Sequence, residues 1–168
     1  MTATAAIALG SNLGNSLKTL NAALEVLAQA PGIQVEARSS WYQTKAIQAT
    51  DSAPPQPDYL NGCALLRVTL SPHELLAVLL QTEIQFGRVR RERWGARTLD
   101  LDLLWFDDLI LQSPTLELPH PRMNDRAFVL VPLSEIAPHW IEPVSGKSID
   151  QLRQTVNCSE VKRLLRDD

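Results

Sequence analysis

Cysteine is scarce in this chain of 168 residues: there are two, Cys63 and Cys158. They lie far apart and fit neither a disulfide framework nor a zinc site. No apolar run approaches the roughly 18 residues that a membrane-spanning helix needs. The N-terminal stretch MTATAAIALGSNLGN carries no basic residue ahead of its short apolar segment, so no signal peptide is expected. These absences together favour a reduced, cytoplasmic setting. There is no surplus of positive charge either. Sixteen Lys and Arg against nineteen Asp and Glu leave a net charge of -3 and a pI near 5.6, which argues against a dedicated nucleic-acid binder. No internal repeat and no low-complexity tail is found. What remains is ordinary for a globular chain, with 45% hydrophobic and 21% charged residues. That excludes disordered, collagen-like and mucin-like proteins. The length predicts a single domain over 1–168.

The chain divides into recognisable elements. Ala5 to Leu9 is a small, apolar first strand, broken by Gly10-Ser11-Asn12-Leu13-Gly14. Leu17, Leu20, Leu24 and Leu27 then recur at steps of three and four, which gives a helix one apolar face. Asn15 or Ser16 is its candidate cap, and Pro31-Gly32 ends it. Ile33, Val35 and Ala37 alternate, so Ile33 to Thr44 returns to strand. The run from Gln48 to Asp58 holds three of the eleven prolines and reads as a long loop. Leu60 to Leu70 is a further strand. A second helix opens at Ser71-Pro72-His73-Glu74, with serine as cap, proline at the first helical position and glutamate at the third. Leu75, Leu76, Leu79, Leu80 and Ile84 form its expected apolar side, and Gly87 stops it. Thr98 to Phe106 is a strand, Asp107-Asp108 a turn, and a short strand follows near Ile110. From Ser148 onward the chain reads as helical with a charged surface. The order strand, helix, strand, strand, helix, strand predicts an α+β fold: a ferredoxin-like sandwich with a mainly antiparallel sheet and helices packed on it. A doubly wound parallel sheet would need more helices.

The segment from Gly87 to Phe106 carries the densest chemistry. Arg88, Arg90, Arg91, Arg93 and Arg97 stand against one acid, Glu92, ahead of the strand. A solvated basic loop is the plain alternative. Guanidinium groups, however, match phosphate oxygens in bidentate geometry, and every basic residue here is arginine. Asp100 and Asp102 follow, two apart in a strand, so both carboxylates leave on one face. Their Cα atoms are then about 6.6 Å apart, from a rise of about 3.3 Å per residue. Such a pair can hold one or two magnesium ions through oxygen ligands. A lone D-x-D is more often the wet face of an amphipathic strand, here with Leu99, Leu101, Leu103 and Trp105 expected on the opposite face. Arginines suited to a polyphosphate beside carboxylates suited to its metal shift the balance towards phosphoryl transfer.

Two weaker constellations accompany it. Pro119-His120-Pro121-Arg122 is a stiff, non-helical segment that leads to Asn124-Asp125-Arg126-Ala127-Phe128. Alone it reads as an ordinary loop with Arg126 available to a phosphate. Tyr59 and Asn61 are two apart after the proline loop. A ring to stack on and an amide to hydrogen-bond suit a flat heterocycle, although a strand-end tyrosine beside a turn asparagine is the commoner case. Gly10 to Gly14 is not a Walker-type loop, because the Gly-Lys-Ser/Thr ending is missing. Gly146-Lys147-Ser148 has those letters without the upstream glycine and reads as a turn.

With these residues in view, nearly the whole chain, about Ala5 to Val156, resembles the 6-hydroxymethyl-7,8-dihydropterin pyrophosphokinase family of folate biosynthesis. The matching pieces stand in the family's order: A-L-G-S-N-L-G at 8–14, S-S-W-Y-Q-T at 39–44, Q-P-D-Y-L-N at 56–61, G-R-V-R at 87–90, R-W-G-A-R-T-L-D-L-D-L-L at 93–104 and L-P-H-P-R-M at 118–123. The resemblance implies transfer of the β,γ-pyrophosphoryl group of ATP to the pterin's hydroxymethyl oxygen, with AMP leaving. It implies two magnesium ions held by Asp100 and Asp102, and ATP as co-substrate. Glu83, Arg88, Arg90, Arg93, Arg97, His120 and Arg126 would then serve the nucleotide. Of these, Arg88 and Arg97 would act with the aspartates in catalysis. The pterin would lie between Tyr59 and Phe128, with Thr44, Asn61 and backbone near Ile47 at its edge and Trp94 sealing the site. No general base stands out, and Asp100 is one group able to accept the hydroxyl proton. The chain departs from the family's T-x-P-x-G after Thr44, reading Lys45-Ala46-Ile47-Gln48. A monomer without nucleic-acid or membrane partners is expected. The rival classes are a non-catalytic nucleotide-binding module, which would not need both aspartates, and an RNA-binding module, which the overall acidity opposes.

Overall fold

The structure, a computed structural model, describes residues 2–12, 15–45, 58–87 and 98–165. Strand β1 (Ala3–Ser11) leads into helix α1 (Ser16–Gln29), then β2 (Ile33–Arg38), β3 (Tyr42–Thr44) and the long β4 (Tyr59–Val68). Helix α2 (Pro72–Gln85) precedes β5 (Asp100–Phe106) and a small hairpin, β6 (Leu111–Gln112) with β7 (Glu117–Leu118). Helix α3 (Ala127–Ile136), the short α4 (Ile149–Arg153) and β8 (Lys162–Arg163) complete the order. The main sheet is antiparallel throughout: β5, β1 and β4 lie side by side, β4 pairs with β2 at one end and β3 at the other, and β8 adds to β3. The βαββαβ core with strand order β5-β1-β4-β2 is the ferredoxin-like arrangement that the sequence predicts.

The local chemistry explains the boundaries. Asn15, not Ser16, caps α1, its side-chain oxygen accepting from the Lys18 amide at 3.2 Å. The capping box of α2 is complete: Ser71 accepts from the Glu74 amide and Glu74 accepts from the Ser71 amide. Both motifs satisfy backbone donors that a helix start leaves open.

Three expectations need correction. On α2, Leu75 and Leu79 are buried, but Leu80 is 43% and Ile84 63% exposed. The buried stripe turns instead through Thr82 and Glu83, because Glu83 meets the backbone of β5. On β5 the alternation breaks. Ala6 faces Trp105 while Ile7 faces Leu103, which leaves Leu104 as the extra residue of a bulge. Leu99, Leu101 and Leu103 enter the core beneath α1 and α2, whereas Leu104 and Trp105 pack on the other face of the sheet. The C-terminal region is not continuously helical. Ile149 and Leu152 bury one short turn, after which apolar residues no longer recur at helical spacing and the chain returns to the sheet as β8.

Helix α3, for which the sequence predicted no element, covers that other face. With α4 it packs on Ala6, Cys63, Leu104 and Trp105, and Trp105 stacks on Trp140 with ring centroids 3.7 Å apart. The sheet is therefore buried on both sides, with α1 and α2 on one and α3 and α4 on the other.

Candidate active site

One row of paired residues crosses the sheet. Asp100 on β5 faces Gly10 on β1, Gly10 faces Asn61 on β4, Asn61 faces Tyr42 on β3, and Tyr42 faces Arg163 on β8. Directly opposed residues share a face, and this is the face that α3 covers. In a second row Asp102 faces Ala8, and Ala8 faces Cys63. The two carboxylates therefore project together, as their spacing predicts, over a floor whose neighbouring side chains are hydrogen and methyl. Small residues there leave room. A Cβ on Gly10 would lie 3.0 Å from Asn61 Oδ1.

That room is a cavity of about 970 Å³, at the upper end of the roughly 300–1,000 Å³ typical of small-molecule sites. Asp100 and Asp102 on β5, Tyr59 and Asn61 on β4 and Thr44 on β3 line it in sheet order, and His120, Arg126 and Phe128 line it as well, His120 and Arg126 within reach of the Asp102 charge. A second, more open groove of about 740 Å³ lies between α1 and α2. Its lining holds one titratable side chain, Glu25, so the first cavity is the candidate site.

The walls are organised by few, specific contacts. Asn61 Nδ2 donates to Thr44 Oγ1 at 2.8 Å, joining β4 to β3 beside the cavity. His120 is fixed from both sides: its amide donates to the Leu104 carbonyl at 2.8 Å, and its Nδ1 accepts from the Arg122 amide at 3.1 Å. With Nδ1 as acceptor, the neutral ring carries its proton on Nε2. Burial holds the His120 pKa below its ordinary value, against the pull of the Asp102 charge and with help from Arg126 and Arg122. Arg126 is also shifted down by burial, opposed by Asp102 and Asp100, yet a guanidinium stays charged at any working pH. Its charge lies over the Phe128 ring, 5.5 Å from the centroid. Cys63 shares this face but is fully buried against α3, its Sγ 3.7 Å from the Val129 carbonyl, and burial pushes its thiol far up, so it is a core residue and not a nucleophile.

Of the expected residues, Thr44, Tyr59, Asn61, Asp100, Asp102, His120, Arg126 and Phe128 converge on this one cavity. Glu83 is not in its lining. It is 3% exposed and its carboxylate accepts from the Leu101 amide at 2.7 Å, between the two aspartates. Arg88, Arg90, Arg93, Trp94, Arg97 and Ile47 lie outside the described residues. The sequence reading missed Arg122 and the tail residues Val156, Asn157, Glu160 and Val161, which also line the cavity. Arg122 had a signal, two residues after His120. The tail had none, since a two-residue strand leaves no periodicity.

The family model for 7,8-dihydro-6-hydroxymethylpterin-pyrophosphokinase (HPPK) matches residues 6–138. The chain belongs to the HPPK family. A 2-amino-4-hydroxy-6-hydroxymethyldihydropteridine pyrophosphokinase from Synechocystis sp. is 53% identical over 157 residues, covering 94% of this chain and 78% of the relative. The pyrophosphokinase of the same name from Haemophilus influenzae is 41% identical, over 95% of this chain and 97% of that one. Among solved structures, Plasmodium falciparum HPPK-DHPS with pteroate superposes with a TM-score of 0.74 at 14% identity, over 99% of this chain and 47% of that one. The chain thus spans about half of that longer protein, and at this identity the likeness speaks for the HPPK fold alone.

Proposed function

We propose that this HPPK chain transfers the pyrophosphoryl group of ATP to 6-hydroxymethyl-7,8-dihydropterin in folate biosynthesis, and does so in the cavity under α3. Family membership supports the reaction. The observation that carries its location is the shared cavity, with a carboxylate pair at one end and a ring, an amide and a hydroxyl at the other. In the reaction the pterin hydroxymethyl oxygen attacks the β-phosphorus of ATP. The bond from that phosphorus to the α,β-bridging oxygen breaks, AMP leaves with that oxygen, and the hydroxyl proton is released.

Asp100 and Asp102 are proposed to hold magnesium. The donor set fits: two hard carboxylate oxygens on a common face suit an ion that takes its remaining ligands from water and phosphate. Among the described residues no cluster of three or more metal-binding side chains occurs, so the substrate's phosphates would complete the sphere of the two expected ions. When bound, the metal neutralises phosphate charge and orients the β-phosphorus. Arg126 and the Nε2–H of His120 face the same end and would bind phosphate oxygens, with Arg88, Arg90, Arg93 and Arg97 assigned there by resemblance. Tyr59 and Phe128 would stack on the pterin, Asn61 and Thr44 would bond its edge, and Ile47 and Trp94 would close around it. Glu83 would act through Leu101, positioning the strand that bears both aspartates. The reading needs only one chain, acting as a monomer.

The test is AMP formation from ATP, magnesium and 6-hydroxymethyl-7,8-dihydropterin, beside an Asp102→Ala variant. Pterin-dependent AMP that the substitution abolishes supports both the transfer and the metal role. ADP in place of AMP would mean attack at the γ-phosphorus and would overturn the reading.

A further inference from the structure

The C-terminal tail forms a wall that neither the family model nor the reaction chemistry accounts for. Residues 156–161 lie beyond the matched region, which ends at 138, yet Val156, Asn157, Glu160 and Val161 line the cavity. Their place in it follows from the sheet. The order is β5, β1, β4, β3, β8, and neighbouring strands lie about 4.8 Å apart, so β8 stands roughly 19 Å from the aspartates of β5. Val161, one residue before β8, therefore borders the end that holds Thr44 and Asn61, away from the carboxylate pair. It is fastened there. Tyr42 faces Arg163, Gln43 faces Lys162, and the Leu164 amide donates to the Trp41 carbonyl at 2.8 Å. Val156 is half-buried against the same cluster on which Phe128 packs, and Val161 is half-buried at the cavity wall. A half-buried apolar pair in a cavity wall offers a surface that the edge of a flat heterocycle can cover.

We infer that residues 156–161, latched by β8, are a specificity-determining wall of the acceptor end and set how tightly the pterin is held. This rests on the reading of the cavity given above. The tail contacts the acceptor and not the triphosphate, so its loss weakens one substrate selectively.

Two variants test it: Val161→Ala, which removes apolar wall, and Leu164→Pro, which removes the donor of the latch without touching the cavity lining. Both substrates are varied in steady-state kinetics, with thermal unfolding in parallel. Losing two methyl groups of contact predicts a pterin KM raised about five- to tenfold in Val161→Ala. The KM for ATP and kcat at saturating pterin stay within about twofold, the pattern of lost acceptor binding. Leu164→Pro moves the same parameter in the same direction. An unchanged pterin KM in Val161→Ala overturns the inference. So does a fall in kcat and a rise in both KM values in step with the melting temperature. Wild-type chain that makes no AMP from the pterin would defeat the reading of the site and this inference together. Wild-type turnover with an unmoved pterin KM in the variants defeats the inference alone.

Discussion

Gly10 is the residue at which backbone geometry bears most directly on the proposed binding cavity. It sits between Asp100 and Asn61 in one row of the sheet, where any Cβ would press on Asn61 Oδ1 at 3.0 Å. The Asn61 amide is already committed through its Nδ2 to Thr44, so it has to give up that bond to yield. Gly10→Ala is expected to raise the pterin KM about fivefold, the worth of one hydrogen bond near 1 kcal/mol. The KM for ATP should move less, and steady-state kinetics read both. Glu83 makes the complementary case at the other end. Its carboxylate answers the amide of Leu101, on a strand whose other neighbour is β1. Glu83→Ala leaves that buried donor unpaired, at a cost of about 1–3 kcal/mol, and for a chain this size lowers the Tm by about 3–9 °C. Glu83→Gln keeps an acceptor in place and should recover most of the loss. Because Leu101 lies between the aspartates, the KM for magnesium-ATP is expected to rise while that for the pterin stays. A Tm in Glu83→Ala equal to wild type would remove the assigned role.

At the scale of elements, α3 holds the site through both ends. Phe128 and Glu135 are seven residues apart, two helical turns, and share a face. Phe128 reaches the cavity, while Glu135 accepts from the Ser40 amide and hydroxyl, each at 2.9 Å, and from Tyr42 Oη at 2.8 Å. These bonds and the nearby Arg163 charge outweigh desolvation and hold the Glu135 carboxyl below its ordinary 4.5. Burial and the same carboxylate push Tyr42 up to about 12. A carboxylate with a lowered folded pKa stabilises above its unfolded value and loses that contribution as pH falls through the folded one. Glu135→Ala should therefore cost about 0.5–1 kcal/mol at pH 7, the worth of charge-assisted bonds that solvent partly screens. The Tm gap to wild type should narrow below pH 4.5. A gap independent of pH would mean that the carboxylate charge is not what holds α3.

Helix α3 is also where sequence reading fell short, for a physical reason. AFVLVPLSEI is apolar nearly all round and contains Pro132. Neither a helical nor a strand period emerges from such a run. The helices that were legible, α1 and α2, have apolar stripes and caps with side-chain acceptors. The bulge at Leu104 was illegible because nothing in LDLLWF marks the extra residue, and so Trp105 was assigned to the wrong face. Gly62 shows the same limit. Its Cβ would stand 2.5 Å from the Trp41 ring, a contact between residues far apart in sequence. The carboxylate pair and the Tyr59/Asn61 pair were legible because strand alternation alone puts each pair on a common face. That both pairs open on one cavity depends on the order β5-β1-β4, which is a property of the folded sheet.

For the molecule as a whole, the sheet separates two tasks. The face under α1 and α2 is the larger apolar core, while the face under α3 and α4 keeps small side chains at Ala8 and Gly10 and opens into the cavity. Ligand binding to the folded chain should then stabilise it by mass action, and the metal contribution should pass through the aspartates. At about one hundred times its dissociation constant, a non-hydrolysable ATP analogue with magnesium adds about 2.7 kcal/mol. For a chain of this size that raises the Tm by about 5–10 °C. Without magnesium the triphosphate meets Asp100 and Asp102 unscreened, and like charges at that end oppose it, so the shift should largely vanish. Asp102→Asn removes one of those charges and one hard ligand together. Its shift is expected to be small and nearly the same with magnesium or with chelator, whereas the shift from the pterin alone should match wild type if, as proposed, that ligand takes the β3 end. An equal wild-type shift with and without magnesium would show that the carboxylate pair does not act on the nucleotide through a metal. Loss of the pterin shift in Asp102→Asn would show that the two ends of the cavity are not independent.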